Sequence, residues 1–188
     1  WTGLIMESSG AKPMLILALT AGLMAVLRFF GGPVTKVLGQ TGVLLGGAIL
    51  ATLGIYLFST QIGSMTYVAA IFFALGVAFF WPTMIGFVAE YIPKSGALGL
   101  GLIGGAGMFA VSIFQPFIGK IYDSNIIAAL PAGADKGEYA KAAAGSEMAI
   151  AYGDAQLVAG PAILETMVII PIVLIVAFAG LYFYMKKK

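Results

Sequence analysis

The sequence predicts an all-α membrane protein with five transmembrane helices, and three observations carry that prediction. Of its 188 residues 61% are hydrophobic and only 10% charged, whereas a soluble domain is about 45–50% apolar and about 25% charged. Mean hydropathy is +1.02, and a water-soluble fold of this length has too little interior to hide so much apolar surface. The apolar residues are collected into runs over 13–38, 42–60, 66–90, 97–120 and 161–185, each near or above the ~20 residues that cross a ~30 Å hydrocarbon core as a helix. The runs are continuous rather than alternating with period two, which excludes a β-barrel. Lipid offers no hydrogen bonds to backbone groups, so each segment satisfies its own and is helical.

The first run opens on Pro13, suited to a first helical turn because its missing N–H costs nothing there. Gly31, Gly32 and Pro33 lie between Arg28 and Lys36, so the span itself is predicted over 14–30 and its exit over 31–40. The second run carries Gly42 and Gly46, four apart; the fourth carries Gly101 and Gly105 within the six-glycine stretch 96–107. In a membrane such spacing lets helix backbones approach closely. The third run holds Phe79, Phe80 and Trp81 ahead of Pro82, and a mid-span proline frees a carbonyl and bends its helix. Pro116 and Pro171 predict similar kinks. Between the last two runs, residues 122–160 hold Asp123, Asp135, Lys136, Glu138, Lys141, Glu147 and Asp154 and are predicted as a solvated extracytoplasmic loop. Within it 137–150 is alanine-rich, with Glu138 and Lys141 three apart, the pattern of a short surface helix.

Basic residues set the orientation. With five spans and Lys186, Lys187 and Lys188 in the cytoplasm, Lys36 and Lys94 fall on the same side with Glu90 as the only acid. Glu7, Asp123, Asp135, Glu138, Glu147, Asp154 and Glu165 fall outside with Lys12, Lys120, Lys136 and Lys141. The carboxyl terminus is therefore expected to be cytoplasmic. No basic segment precedes an apolar stretch in the manner of a signal peptide, and a chain starting at Trp1 reads as a piece of something longer.

Several function classes drop out. There is no cysteine and no histidine, which removes disulfides, thiolate zinc sites and His-based triads. A net charge of +2 is too small to argue for nucleic acid. No phosphate-binding loop or dinucleotide fingerprint follows a strand. The expectation is a non-enzyme without metal or cofactor. Uncharged polar groups within spans belong against protein or a water-filled cavity, which singles out Thr83, Ser112 and Gln115. Arg28, the only arginine, and Glu90 lie at cytoplasmic span ends, where they anchor at the interface or pair with opposite charges as a gate latch. No acid sits deep in a span, so an acidic group for proton or sodium coupling is expected outside this piece.

Two segments add a resemblance. Residues 28–42 (RFFGGPVTKVLGQTG) resemble the loop between the second and third helices of each half of the major facilitator superfamily, whose motif reads G-x-x-x-D-[RK]-x-G-[RK]. Gly32 and Gly39 match; Lys36 stands where the acid belongs, Val37 where the base belongs and Gln40 where a second base often sits. Residues 79–123 resemble the tenth and eleventh helices, with their short cytoplasmic turn, of bacterial sugar-permease-like members. The resemblance covers nearly all of the chain except 124–160. It implies helices eight to twelve of a 12-helix facilitator fold, a partial second half whose amino-terminal half is missing. It makes Phe80, Trp81, Thr83, Met108, Ser112 and Gln115 substrate-binding candidates. Arg28, Gly32, Lys36, Gly39, Glu90 and Lys94 become candidates for the gating or cytoplasmic loop.

The function expected from these readings is secondary transport of a small polar organic solute, sugar- or nucleoside-like, by alternating access. Aromatic faces and neutral hydrogen-bonding groups suit such a solute better than an anion. The expected partners are that solute, membrane lipid and the missing half of the same chain, with no nucleic acid. The rival expectation is a non-transporting membrane scaffold or assembly protein, complete at five spans.

Overall fold

The structure is a computed structural model and describes residues 12–61 and 63–187; Trp1, Glu7 and Lys188, used in the sequence argument, lie outside these. Every regular element among the described residues is helical: α1 (Pro13–Phe29), α2 (Gly31–Thr60), α3 (Met65–Val77), α4 (Phe80–Tyr91), α5 (Gly96–Ala129), α6 (Lys136–Ala140), α7 (Glu147–Met167) and α8 (Ile169–Lys186), with a 3₁₀ turn at Pro93–Ser95. Four stretches are long and apolar enough to cross a membrane: Gly31–Thr60, Met65–Tyr91, Pro93–Ala129 and Glu147–Lys186. The 17-residue α1 is shorter; at ~1.5 Å per residue it reaches ~26 Å.

The boundaries differ from the sequence expectation in three places, each for a local reason. The predicted run 13–38 is two helices meeting at Phe30. Pro33 has no N–H for the Phe29 carbonyl four residues back, and two glycines precede it, so the α1 ladder ends there. The exit segment 31–40 is itself helical and continues into the second run with a bend at Gly39, whose φ of 69° and ψ of 162° belong to a region essentially reserved for glycine. The predicted loop 122–160 is largely helical as well. α5 continues to Ala129 and α7 begins at Glu147. The short helix expected over 137–150 appears as α6 and the first turn of α7. Asp135 caps α6 by accepting from the backbone N–H groups of Gly137 and Glu138, and Ser146 caps α7 by accepting from Ala149, as short polar side chains do at helix starts. The Lys136 ammonium pairs with Asp123 on α5.

The chain builds two cores. The first lies around α2, which packs against α3, α4, α7 and α8. Gly47, Ala48, Ala51, Gly54 and Phe58 of α2 are buried against Thr66, Ala69, Ala70, Ala74 and Gly76 of α3. The backbones nearly touch: a Cβ on Gly54 would sit 2.5 Å from the Phe73 nitrogen, one on Gly47 would sit 2.7 Å from the Gly76 carbonyl oxygen, and one on Gly76 would collide with the Ala51 backbone. Small residues at these positions let van der Waals contact replace the hydrophobic drive that lipid cannot supply. The pair expected from spacing, Gly42 and Gly46, is not the one used. Gly46 has open space around it, and Gly42 meets only ordinary contacts with Leu38 and Tyr182. The second core joins the end of α5 to α7 through Tyr122, Ile126, Leu130, Ala155, Ala159 and Ile163. Between these cores the first two thirds of α5 is almost bare. Leu98, Leu102, Met108, Phe109 and Phe117 are all exposed, and Gly101 and Gly105 meet nothing.

Candidate functional site at the helix break

Pro82 explains the interruption of the third span. It lacks the N–H that would bond the carbonyl four residues earlier, which is that of Ala78. α3 stops at Val77, α4 resumes at Phe80, and Ala78 is fully buried. A buried carbonyl without a donor is costly. The donor comes from fifty positions upstream: Arg28 Nε, at the end of α1, donates to the Ala78 oxygen at 3.3 Å. The single arginine of the chain is thus tied to the break that the proline makes.

Around this bond lies a cavity of about 260 Å³ lined by Arg28, Gly31, Gly32, Thr35, Gln40, Phe79, Pro82, Thr83 and Gly86. Three elements position it: the end of α1, the first turns of α2 and the start of α4. Thr83 is buried. Thr35 Oγ1 donates back to the Gly31 and Gly32 carbonyls at 2.8 and 3.0 Å. Beyond the Gly39 bend, Gln40 Nε2 donates to Glu90 Oε2 on α4. Because a carboxylate accepts only, the amide nitrogen must face Glu90, and Gln40 Oε1 is left buried without a hydrogen-bond partner. A neighbouring cavity of about 240 Å³ shares Thr35 and Gln40 and adds Lys36, Gly39, Glu90 and Tyr91. Thr41, Tyr91, Tyr182 and Lys186 line a third, so Lys36, Glu90 and Lys186 gather at one end of the bundle.

The structure divides the sequence candidates. Thr83, expected on the substrate side, shares the first cavity with Arg28 and Gly32, expected at the gate. Lys36 and Gly39 line the neighbouring cavity with Glu90. The latch expected between opposite charges is not formed: among the described residues Arg28 pairs with a carbonyl and Glu90 with an amide, and Lys36 makes no ion pair. Lys94 is exposed in the 3₁₀ turn. Phe80 packs on Phe178 of α8, ring centroids 6.0 Å apart. Trp81, 46% exposed, lies beside Gly107 of α5, where a Cβ would be 3.6 Å from its ring. Met108, Ser112 and Gln115 are exposed along α5, and Ser112 Oγ donates to the Met108 carbonyl at 3.1 Å. Sequence reasoning did not place Thr35, Gln40 or Gly86 in a site. Gln40 was signalled by its place in the loop motif; Gly86 joins only because α4 crosses over the Gln40 side chain.

This architecture defines the class: an all-α, membrane-embedded protein. Comparison of the chain with family models, with curated proteins and with solved structures gives no match in any of the three.

Proposed function

We propose that the chain forms five spans, α1 included, of a facilitator-type secondary transporter that moves a small polar organic solute, sugar- or nucleoside-like, by alternating access. The observation that carries this reading is the α3–α4 break opening on a cavity that Arg28, Thr35, Gln40 and Thr83 line, because discontinuous membrane helices are where transporters place their binding sites. In this reading Trp81 offers a face for stacking, Thr83, Ser112 and Gln115 offer neutral hydrogen bonds, and Met108 lines the path between them. The remaining lining comes from a further helical half, and the end holding Lys36, Lys94 and Lys186 is cytoplasmic in a bacterial inner membrane. Solute binding then shifts the population between outward- and inward-open states. A second reading, a membrane scaffold or assembly protein, is favoured by the bare length of α5, which offers a surface for another membrane helix.

Reconstitution of the full-length gene product into liposomes tests the choice. Saturable uptake of labelled glucose or uridine, reduced about tenfold or more by Trp81→Ala, equivalent to ~1.4 kcal/mol of lost interaction, is the expected result. A protein that takes up neither solute but is isolated with a stoichiometric membrane partner bound along α5 sinks the transport reading in favour of the scaffold.

A further inference from the structure

We propose that residues 134–144, the segment built around α6, are a hinged strap that clamps the carboxyl-terminal end of α5 to α7. The Lys136–Asp123 ion pair holds the strap shut, and screening or removing that pair releases it as a unit. The proposal rests on the packing of α5, α6 and α7 and not on the transport reading.

α5 is secured mainly at its carboxyl-terminal end. Over its first two thirds Gly99 lies against Val88 and Gly107 beside Trp81, and Leu98, Leu102, Met108, Phe109 and Phe117 are exposed. The firm attachment is the second core, where Tyr122 and Ile126 are buried with Ala155, Ala159 and Ile163 of α7. The strap lies across that joint and touches both sides of it. Lys136 pairs with Asp123 of α5, Ala134 and Tyr139 pack against the joint, and α6 is in contact with α7.

Three features make this segment separable. Gly133 and Gly145 bracket it with φ of 86° and 84°, a region that glycine enters without strain. A Cβ at either would meet nothing, so backbone conformation and not crowding calls for glycine there. The backbone hydrogen bonds of the segment are its own. The N–H groups of Ala134, Glu138, Tyr139, Lys141 and Ala142 donate to carbonyls three or four positions back, and Asp135 caps α6 from within. None of these bonds breaks when the segment swings away from α5 and α7. The hold on it is weak. The Lys136 and Asp123 side chains are 29% and 48% exposed, and ion pairs so exposed contribute little and fade with salt. Ala134 and Tyr139 are only half-buried. A unit with few buried contacts opens locally well before the fold does. While the strap is shut, α5 is tied to α7 both directly and through α6. When it opens the direct packing remains, and the nearly bare length of α5 gains freedom to tilt.

Hydrogen–deuterium exchange of the full-length protein in nanodiscs, followed by mass spectrometry, tests the strap. Residues 134–144 should exchange faster than the α5 tail and α7. The difference should grow as salt is raised from about 0.05 to about 0.5 M, over which the screening length falls about threefold. Asp123→Asn should speed strap exchange about two- to fivefold, the worth of a partly exposed ion pair, and the exchanged pair Asp123→Lys/Lys136→Asp should restore it. Spin labels on Phe109→Cys of α5 and Val173→Cys of α8, both exposed positions, in a background without other cysteines, test the clamp. Asp123→Asn should broaden the measured distance distribution, and the exchanged pair should narrow it again. Strap exchange that ignores both salt and Asp123→Asn, or that keeps pace with the α5 tail and α7 under every condition, overturns the proposal. So does an α5–α8 distance that stays unchanged when strap exchange has quickened. None of these readouts involves a solute, so the proposal and the transport reading stand or fall separately.

Discussion

α2 and α5 are both glycine-rich, apolar and long enough to span a bilayer, yet the protein treats them oppositely. In the most apolar window of the α2 span 44% of residues are buried, and in that of the α5 span 6%. The α2 glycines at 47 and 54 face backbone at contact distance; the α5 glycines at 101, 104 and 105 face nothing. The same contrast appears at two prolines. Pro82 opens its helix, and Arg28 meets the carbonyl it frees. Pro116 sits inside an unbroken α5, and no side chain of another described helix donates to the Ser112 carbonyl. Glycine in a membrane helix is therefore permission for close packing rather than a record of it. Whether the permission is used depends on a partner lying opposite, and in α5 the hydrophobic core lies in the tail beyond about residue 118, with Gly99 against Val88 and Gly107 beside Trp81 before it.

Three measurements in detergent or nanodiscs would break or sharpen that contrast. The largest effect is expected at the break. Replacing Arg28 by Ala leaves the buried Ala78 carbonyl without a donor and should lower unfolding stability by about 1.5–3 kcal/mol, the range for hydrogen bonds to charged groups. Most of that loss should vanish in a Pro82→Ala background, where the helix supplies its own N–H. A full loss in both backgrounds would detach Arg28 from the proline. Next, Gly76→Ala pushes a methyl group into the Ala51 backbone, which has no flexible atom to yield, and should cost about 1–3 kcal/mol as overpacking does. Smallest, Gly101→Ala and Gly105→Ala meet open space and should be neutral or stabilising by up to ~1 kcal/mol through helix propensity. If these two instead destabilise the assembled full-length protein as Gly76→Ala does, another helix covers α5 there.

The sequence by itself determined the class and the rough placement of the helices. Apolar runs longer than a bilayer is thick have one stable form in lipid, so length and composition suffice. It also located the punctuation at Gly31–Gly32–Pro33 and Pro82, because a missing donor is a property of a single residue; Pro116, where a similar kink was expected, lies inside an unbroken α5, and the bend at Gly39 was not foreseen. The loop 122–160 misled because its charges lie on helices that pack through Tyr122, Ile126, Ala159 and Ile163, and charge alone does not separate a loop from the solvated side of a helix. Only the tertiary structure decided which glycines touch, that Arg28 serves the Ala78 carbonyl and that Gln40 rather than Lys36 holds Glu90. Each of those facts depends on how helices about twenty to fifty residues apart in sequence are rotated against one another. Lipid, as apolar as the side chains it replaces, leaves that rotation to packing and hydrogen bonds instead of to hydrophobic patterning.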